Sequence, residues 1–318
     1  MEKILITGGA GFIGSHVAKK LMDRGDQVVI IDNFNDYYDP KLKEDRIKIF
    51  LKGYKFKLYR GDIRDIKLLD KIFKKEKIDK IVHLAAMAGV RYSIENPFVY
   101  ADVNVMGSLN LLELAAKYKV KNFVFASSSS VYGNNKKLPF AESDSVDQPI
   151  AMYAATKKAD ELMAHVYSHL YGMNITALRF FTVYGPWGRP DMALFKFTKN
   201  IFLGKEIEVY NRGNMARNFT YIDDIVSGTI MVLDKCKGYN IMNIGGDRSE
   251  KLTRYIEVIE ENVGKKAKKK MMPMQPGDVP VTFADIRKLR KFGWKPTTRI
   301  EKGIKHFVSW YKNYYKIK

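Results

Sequence analysis

Residues 3–14 read K-I-L-I-T-G-G-A-G-F-I-G, and this stretch decides the fold. Lys3 to Thr7 is a short apolar run rich in β-branched side chains, the composition of a buried strand. Glycines follow at positions 8, 9, 11 and 14, and the spacing from Ser15 to Arg24 is that of a helix. A strand, a glycine turn and a helix in that order let the backbone approach a pyrophosphate held at the helix N-terminus. Gly9, Gly11 and Gly14 carry this fingerprint. A second apolar run, Val28 to Ile31, ends in Asp32, 18 residues after Gly14. A carboxylate there accepts hydrogen bonds from the adenosine ribose and repels a 2′-phosphate, so the expected cofactor is NAD rather than NADP.

Further apolar strands recur at Phe56 to Tyr59, Ile81 to Leu84, Phe123 to Ala126 and Thr176 to Arg179, with helical segments between them. This alternation implies an α/β fold, a Rossmann-type doubly wound parallel sheet. Its ligand belongs at the carboxyl ends of the strands, where the fingerprint, Asp32, Asp62, Ala85-Ala86 and the serine cluster Ser127 to Ser130 all fall. After about Arg179 the texture changes to loops rich in Pro, Gly, Arg and aromatics, notably Val183 to Asp191. A smaller C-terminal substrate-binding lobe is the inference. Tyr239 to Ile244 reads as another strand returning to the main sheet, so the lobes should interleave. Residues 1–178 are assigned to the NAD-binding domain, rejoined by about 220–247, and residues 179–318 mainly to the substrate lobe.

Chemistry enters with Met152-Tyr153-Ala154-Ala155-Thr156-Lys157. On a helix, Tyr153 and Lys157 share a face. The ammonium can stabilise a phenolate, letting a tyrosine of ordinary pKa about 10 act as a base near neutrality. A hydroxyl of the serine cluster could relay the proton. Tyr-x-x-x-Lys alone is weak evidence in a chain with 19 tyrosines; the glycine fingerprint gives it meaning.

The chain has 318 residues and a formal net charge of +20, from 55 Lys and Arg against 35 Asp and Glu. Nucleic-acid binding is the obvious alternative reading of that charge. The excess is spread over Lys41 to Lys57, Lys71 to Lys80, Lys265 to Lys270 and the tail, with no nucleic-acid motif, and reads as mostly solvated faces. The single cysteine, Cys236, allows no intramolecular disulfide and suits a reducing compartment. No apolar run approaches the ~20 residues that span a bilayer, and the N-terminus enters a strand at once. A soluble, cytoplasmic protein without membrane or nucleic-acid partners is expected. The histidines suggest no metal: His165 and His169 lie four apart on the helix after Tyr153, but no Cys or carboxylate constellation supports zinc.

With these residues in hand, the chain resembles the extended short-chain dehydrogenase/reductases, and among them the UDP-glucuronate 4-epimerases, over nearly its whole length. The diagnostic pieces are Asn35 to Pro40, Ala88 to Ser93, Ser127 to Gly133, Arg179 to Met192 and Phe219 to Asp224. The resemblance implies an NAD site formed by Gly8, Gly11, Phe12, Ile13, Gly14, Asp32, Asn33, Asn35, Asp62, Ile63, Leu84, Ala85, Ala86, Ala88, Asn104, Tyr153 and Lys157. It implies that NAD takes a hydride from carbon 4 of a UDP-sugar while Tyr153, assisted by Ser128 and Lys157, removes the hydroxyl proton. The 4-keto sugar swings over and takes the hydride back on its other face.

For a uronate, that keto form is a β-keto acid prone to decarboxylation, so the site should fix the carboxylate. Ser129, Ser130, Thr182 and Arg189, which can pair bidentately with a carboxylate, are the candidates, with Arg91 a further one. Relatives that dehydrate or decarboxylate usually carry an acidic residue where this chain has Ser130, which favours simple epimerisation. The resemblance places Arg217 at the diphosphate and Asp278 at the uridine ribose. Asn218 stands where many relatives have Asp, and the galactose epimerases have an arginine near Gln275, which leaves the nucleotide contacts open. A homodimer through the helices at Leu109 to Ala116 and Tyr153 to Tyr171 is expected. Rival readings are a 4-epimerase of neutral UDP-hexoses, a UDP-glucuronate decarboxylase and a non-catalytic NAD-binding protein.

Overall fold

A computed structural model describes residues 2–317. Six strands appear first in chain order: β1 (Lys3–Thr7), β2 (Gln27–Asp32), β3 (Lys57–Arg60), β4 (Lys80–His83), β5 (Asn122–Ser128) and β6 (Asn174–Phe180). The strand Tyr239–Ile244 pairs in parallel with β6, and the sheet runs in the order Tyr239–Ile244, β6, β5, β4, β1, β2, β3. Every pairing in this sheet is parallel. It is therefore a doubly wound α/β sheet, with helices on both faces.

Alternation along the strands explains the two-sided core. Successive side chains point to opposite faces, so Ile4, Ile6, Val28 and Ile30 join one apolar cluster while Leu5, Val29 and Ile31 join the other. All seven are essentially solvent-free. Burying each such side chain contributes about 1.5–3 kcal/mol before entropy is counted. Strand ends are thereby held rigidly on both sides, which is what a site at those ends requires.

The reversal between β1 and the helix Phe12–Asp23 depends on glycine at two close approaches. Gly8 adopts φ +68°, and a Cβ on Gly14 would sit 2.2 Å from the Gly8 carbonyl oxygen. Across the turn lies Arg46, fully buried, whose guanidinium donates to the carbonyls of Ala10 (3.1 Å) and Trp187 (2.7 Å). It ties the glycine turn to the Trp187–Gly188 loop. That loop leads to helices Ala193–Phe202 and Ile300–Tyr315, joined by edge contacts of Phe195 with Phe307 and Tyr311 at 5.9 and 5.3 Å between ring centroids. A small parallel pair, Glu206–Val209 with Lys268–Met271, closes this side of the molecule.

Candidate active site

One cavity of about 1020 Å³ opens at the carboxyl ends of the parallel strands. The first turn of the helix Phe12–Asp23 enters it with no acidic side chain and no side-chain cap. Its leading N–H groups are therefore available to an anion, and the helix dipole favours one. Gly8, Gly11, Phe12, Ile13 and Gly14 line the wall. Asp32, at the end of β2, accepts from the amides of Ala10 (3.0 Å) and Phe34 (2.9 Å). Burial raises its pKa, while those amides and the nearby Lys43 pull it down. Asn33 donates to Asp62 at 2.9 Å, and Asn33, Asn35, Asp62, Ile63, Leu84, Ala85, Ala86 and Ala88 continue the lining. Despite burial, the Asp62 carboxyl is lowered to about 2, because Arg64 and Asn33 donate to it. A glycine cradle that any Cβ would fill, ending beside an acidic strand terminus, fits the diphosphate and ribose of NAD.

Tyr153 and Lys157 stand on the first two turns of the helix Met152–Tyr171 and line the same cavity as Ser128, Ser129 and Ser130. Ser128 ends β5, and its Oγ accepts from the Ser130 amide (3.1 Å) and the Ser130 hydroxyl (2.8 Å). With two donors directed into it, the Ser128 hydroxyl proton is free to point to a third partner. Lys157 is buried and donates to Asp160 at 3.1 Å. Tyr153 packs edge-on against Tyr100, ring centroids 6.0 Å apart.

On the opposite wall, Arg189 directs Nε (3.0 Å) and Nη2 at Asp191, and Nη2 also reaches the Ala88 carbonyl at 3.3 Å. Tyr37 donates to the same carboxylate at 3.3 Å. Arg189 holds the Asp191 carboxyl below its ordinary value although burial acts the other way. Thr182 and Arg91 line the wall as well. Farther out, Arg217 and Asp278, assigned to different parts of the nucleotide, pair with each other at 2.7 Å, with Arg91 3.7 Å from the second carboxylate oxygen.

The comparisons agree with this geometry. A family model described as NAD dependent epimerase/dehydratase matches residues 4–245. The chain belongs to that family. At 54% identity it is similar to an uncharacterized protein of Methanocaldococcus jannaschii, over 98% of this chain and 96% of that one. It is 49% identical to UDP-glucuronate 4-epimerase 1 of Arabidopsis thaliana, over 98% of this chain and 77% of that one. The crystal structure of UDP-glucuronic acid 4-epimerase from Bacillus cereus, in complex with UDP-glucuronic acid and NAD, superposes with a TM-score of 0.93. That pair is 35% identical and covers 98% of this chain and all of the other.

One residue assigned to this epimerase/dehydratase-family cleft stands behind its wall. Asn104 does not line the cavity: it is fully buried, and its amide exchanges hydrogen bonds with the Met87 backbone (2.8 and 3.1 Å) and donates to Thr156 (3.0 Å). It clamps the loop that carries Ala86 and Ala88, so it acts behind the wall. Asn218 is likewise a clamp, donating to the carbonyls of Gly246 (3.1 Å) and Arg248 (2.5 Å). Several cavity residues escaped sequence reasoning. Lys43 sits within a lysine run read as solvated, yet it is buried and donates to the Asn35 carbonyl and side chain at 2.8 and 2.7 Å. Tyr37 and Asp191 lay inside quoted motifs, but nothing local marks them as partners of Arg189. Among the described residues, no group of three or more His, Cys, Asp or Glu could hold a metal, and no helix is long and apolar enough to cross a membrane.

Proposed function

We propose that this chain catalyses the NAD-dependent 4-epimerisation of UDP-glucuronate to UDP-galacturonate. The observation that carries the reading is convergence: the glycine cradle with Asp32, the Tyr153–Lys157 pair with Ser128, and Arg189 all face one cavity. Bound NAD would act as reversible hydride acceptor and donor, with no net redox change. Gly8, Gly11 and the first turn of the following helix would hold its diphosphate, and Asp32 its adenosine ribose.

Tyr153 takes the proton of the sugar 4-hydroxyl, with Ser128 relaying it and Lys157 favouring the phenolate. It returns the proton once the 4-keto sugar has presented its opposite face. Arg189, Ser129, Ser130 and Thr182 hold the uronate carboxylate out of alignment with the 4-keto group, which suppresses loss of carbon dioxide. Arg189 keeps its end-on Nη1 direction for this task, because Asp191 engages Nε and Nη2. Arg217 reaches the substrate diphosphate and Asp278 the uridine ribose, exchanging part of their mutual pair for the nucleotide, with Arg91 beside them.

The enzyme acts as a cytoplasmic homodimer. One buried cysteine and no disulfide suit a reducing compartment. Leu162, Val166 and Leu170, exposed at 57, 48 and 64%, form an apolar stripe at four-residue spacing on the helix of Tyr153, a face suited to a second copy.

Incubating the purified protein with UDP-glucuronate, without added NAD, tests the reading. An isobaric product identified as UDP-galacturonate supports it. Loss of carbon dioxide would make the enzyme a decarboxylase, and turnover of UDP-glucose alone a neutral-hexose epimerase.

A further inference from the structure

Behind Lys157 runs a buried chain of polar side chains that leads from the cofactor wall to the catalytic pair. Thr7 Oγ accepts from the amides of Leu84 (3.2 Å) and Ala85 (3.1 Å), both on the cavity wall. The Thr7 hydroxyl also meets His83 Nδ1 at 2.7 Å. His83 Nε2 lies 3.0 Å from Ser108 Oγ, which accepts from it when the ring carries its proton on Nε2. Desolvation lowers the His83 pKa to about 3, so the ring is neutral. Next to Ser108 stands Asp160, whose Oδ2 accepts from Lys157 at 3.1 Å and whose Oδ1 has no hydrogen-bond partner among the described residues. Thr7, His83, Ser108, Asp160 and Lys157 are all buried. The chain from the cofactor wall ends at Ser108, beside the Lys157–Asp160 pair.

We infer that Asp160 is a positioning residue for Lys157: its buried carboxylate, beside the Thr7–His83–Ser108 chain, fixes the ammonium and offsets part of the charge felt by Tyr153. Fixing the ammonium sharpens the geometry of the base. The opposing charge keeps the Tyr153 phenolate basic enough to take the proton of the sugar hydroxyl. An unopposed lysine would lower the phenol's pKa further, which makes the phenolate a weaker base. The charged and titratable groups facing this pair are His83 on β4, Glu161 beside Asp160 on the same helix, Arg179 on β6, and Tyr100 against the Tyr153 ring. Arg179 and Glu161 neutralise each other at 2.8 Å, and Glu161 also accepts from Ser127 at 2.6 Å. That leaves Asp160 as the uncancelled carboxylate nearest Lys157.

The inference rests on the role proposed above for Tyr153, so its test reads Tyr153 directly. Phenolate absorbance is followed against pH in the NAD-bound protein and in Asp160→Asn, each corrected by its Tyr153→Phe counterpart. Asp160→Asn is expected to titrate Tyr153 about one pH unit lower than the unsubstituted protein. The acid limb of kcat should move with it, and KM for the UDP-sugar should stay within a factor of about two. Ser108→Ala removes the hydroxyl that helps hold the Asp160 pKa down against burial, so the carboxylate is more prone to take up a proton. It shifts the midpoint the same way by less, and serves if Asp160→Asn does not retain its NAD. An unchanged Tyr153 midpoint in the folded variants, or a change confined to KM, overturns the inference. Because the titration needs no substrate, failure to epimerise UDP-glucuronate would count against the proposed reaction and not against Asp160.

Discussion

The two walls of the cleft are built on different principles. The cofactor wall is made of backbone: a glycine turn, a helix N-terminus and strand ends clamped between two apolar layers. The substrate wall is made of charged side chains that already have partners, Arg189 with Asp191 and Arg217 with Asp278. The cofactor wall is preorganised and cannot adjust, which suits a cofactor that stays. On the substrate wall the ionic contacts can be redistributed, which suits a sugar that enters, turns over and leaves. A 4-epimerase needs both, since the keto sugar must rotate while the hydride carrier does not.

The sharpest break in this comparison comes from the base between the walls. Tyr153→Phe should lower kcat by about 10²–10⁴-fold while the purified protein still carries NAD, as steady-state rates and cofactor extraction would show. On the cofactor wall, Gly14→Ala forces a Cβ to within 2.2 Å of the Gly8 carbonyl oxygen. The backbone has no room to yield, and the variant should purify with little NAD and recover little activity when NAD is added. On the substrate wall, Arg189→Met removes a charge-assisted pair worth about 1.5–3 kcal/mol. KM for UDP-glucuronate should rise about 10–100-fold, with UDP-glucose binding nearly unchanged and a larger share of decarboxylated product by mass spectrometry.

The smallest effect concerns stability. His16 and His83, both lowered from 6.5 to about 3 by burial, flank the cofactor wall. Their folded-state values lie below the unfolded ones, so their neutral forms stabilise the fold fully above pH about 6.5. That contribution is lost as pH falls toward 3, at up to about 1.4 kcal/mol per pH unit for each ring. Denaturation midpoints between pH 7 and 5 would reveal the slope, and His83→Gln would reduce it.

Legibility in the sequence follows the same division. The strand–glycine–helix order and Asp32 are local signals, because backbone sites are specified by residues adjacent in the chain. The parallel sheet was equally legible, since each strand is an apolar run buried on both faces. That Asn104 holds the Met87 loop from behind the wall was not legible, because an amide facing the cavity and one facing the backbone behind it look alike in sequence. Lys43 was hidden by its neighbours: a buried lysine in a lysine-rich run leaves no trace in composition. Tyr37 lies 154 residues from its partner Asp191, and Arg217 lies 61 from Asp278. Such pairings come from the folded topology, and no periodicity announces them.

The central claim is that a single NAD, held throughout by the cofactor wall, returns the hydride to the carbon it came from. UDP-glucuronate carrying deuterium at carbon 4 tests it most directly, with the purified protein and an excess of unlabelled NAD in solution. The account predicts UDP-galacturonate that keeps its deuterium at carbon 4, with none in the free NAD pool. Deuterium appearing in that pool or in solvent, or an epimerised product without it, would contradict the account.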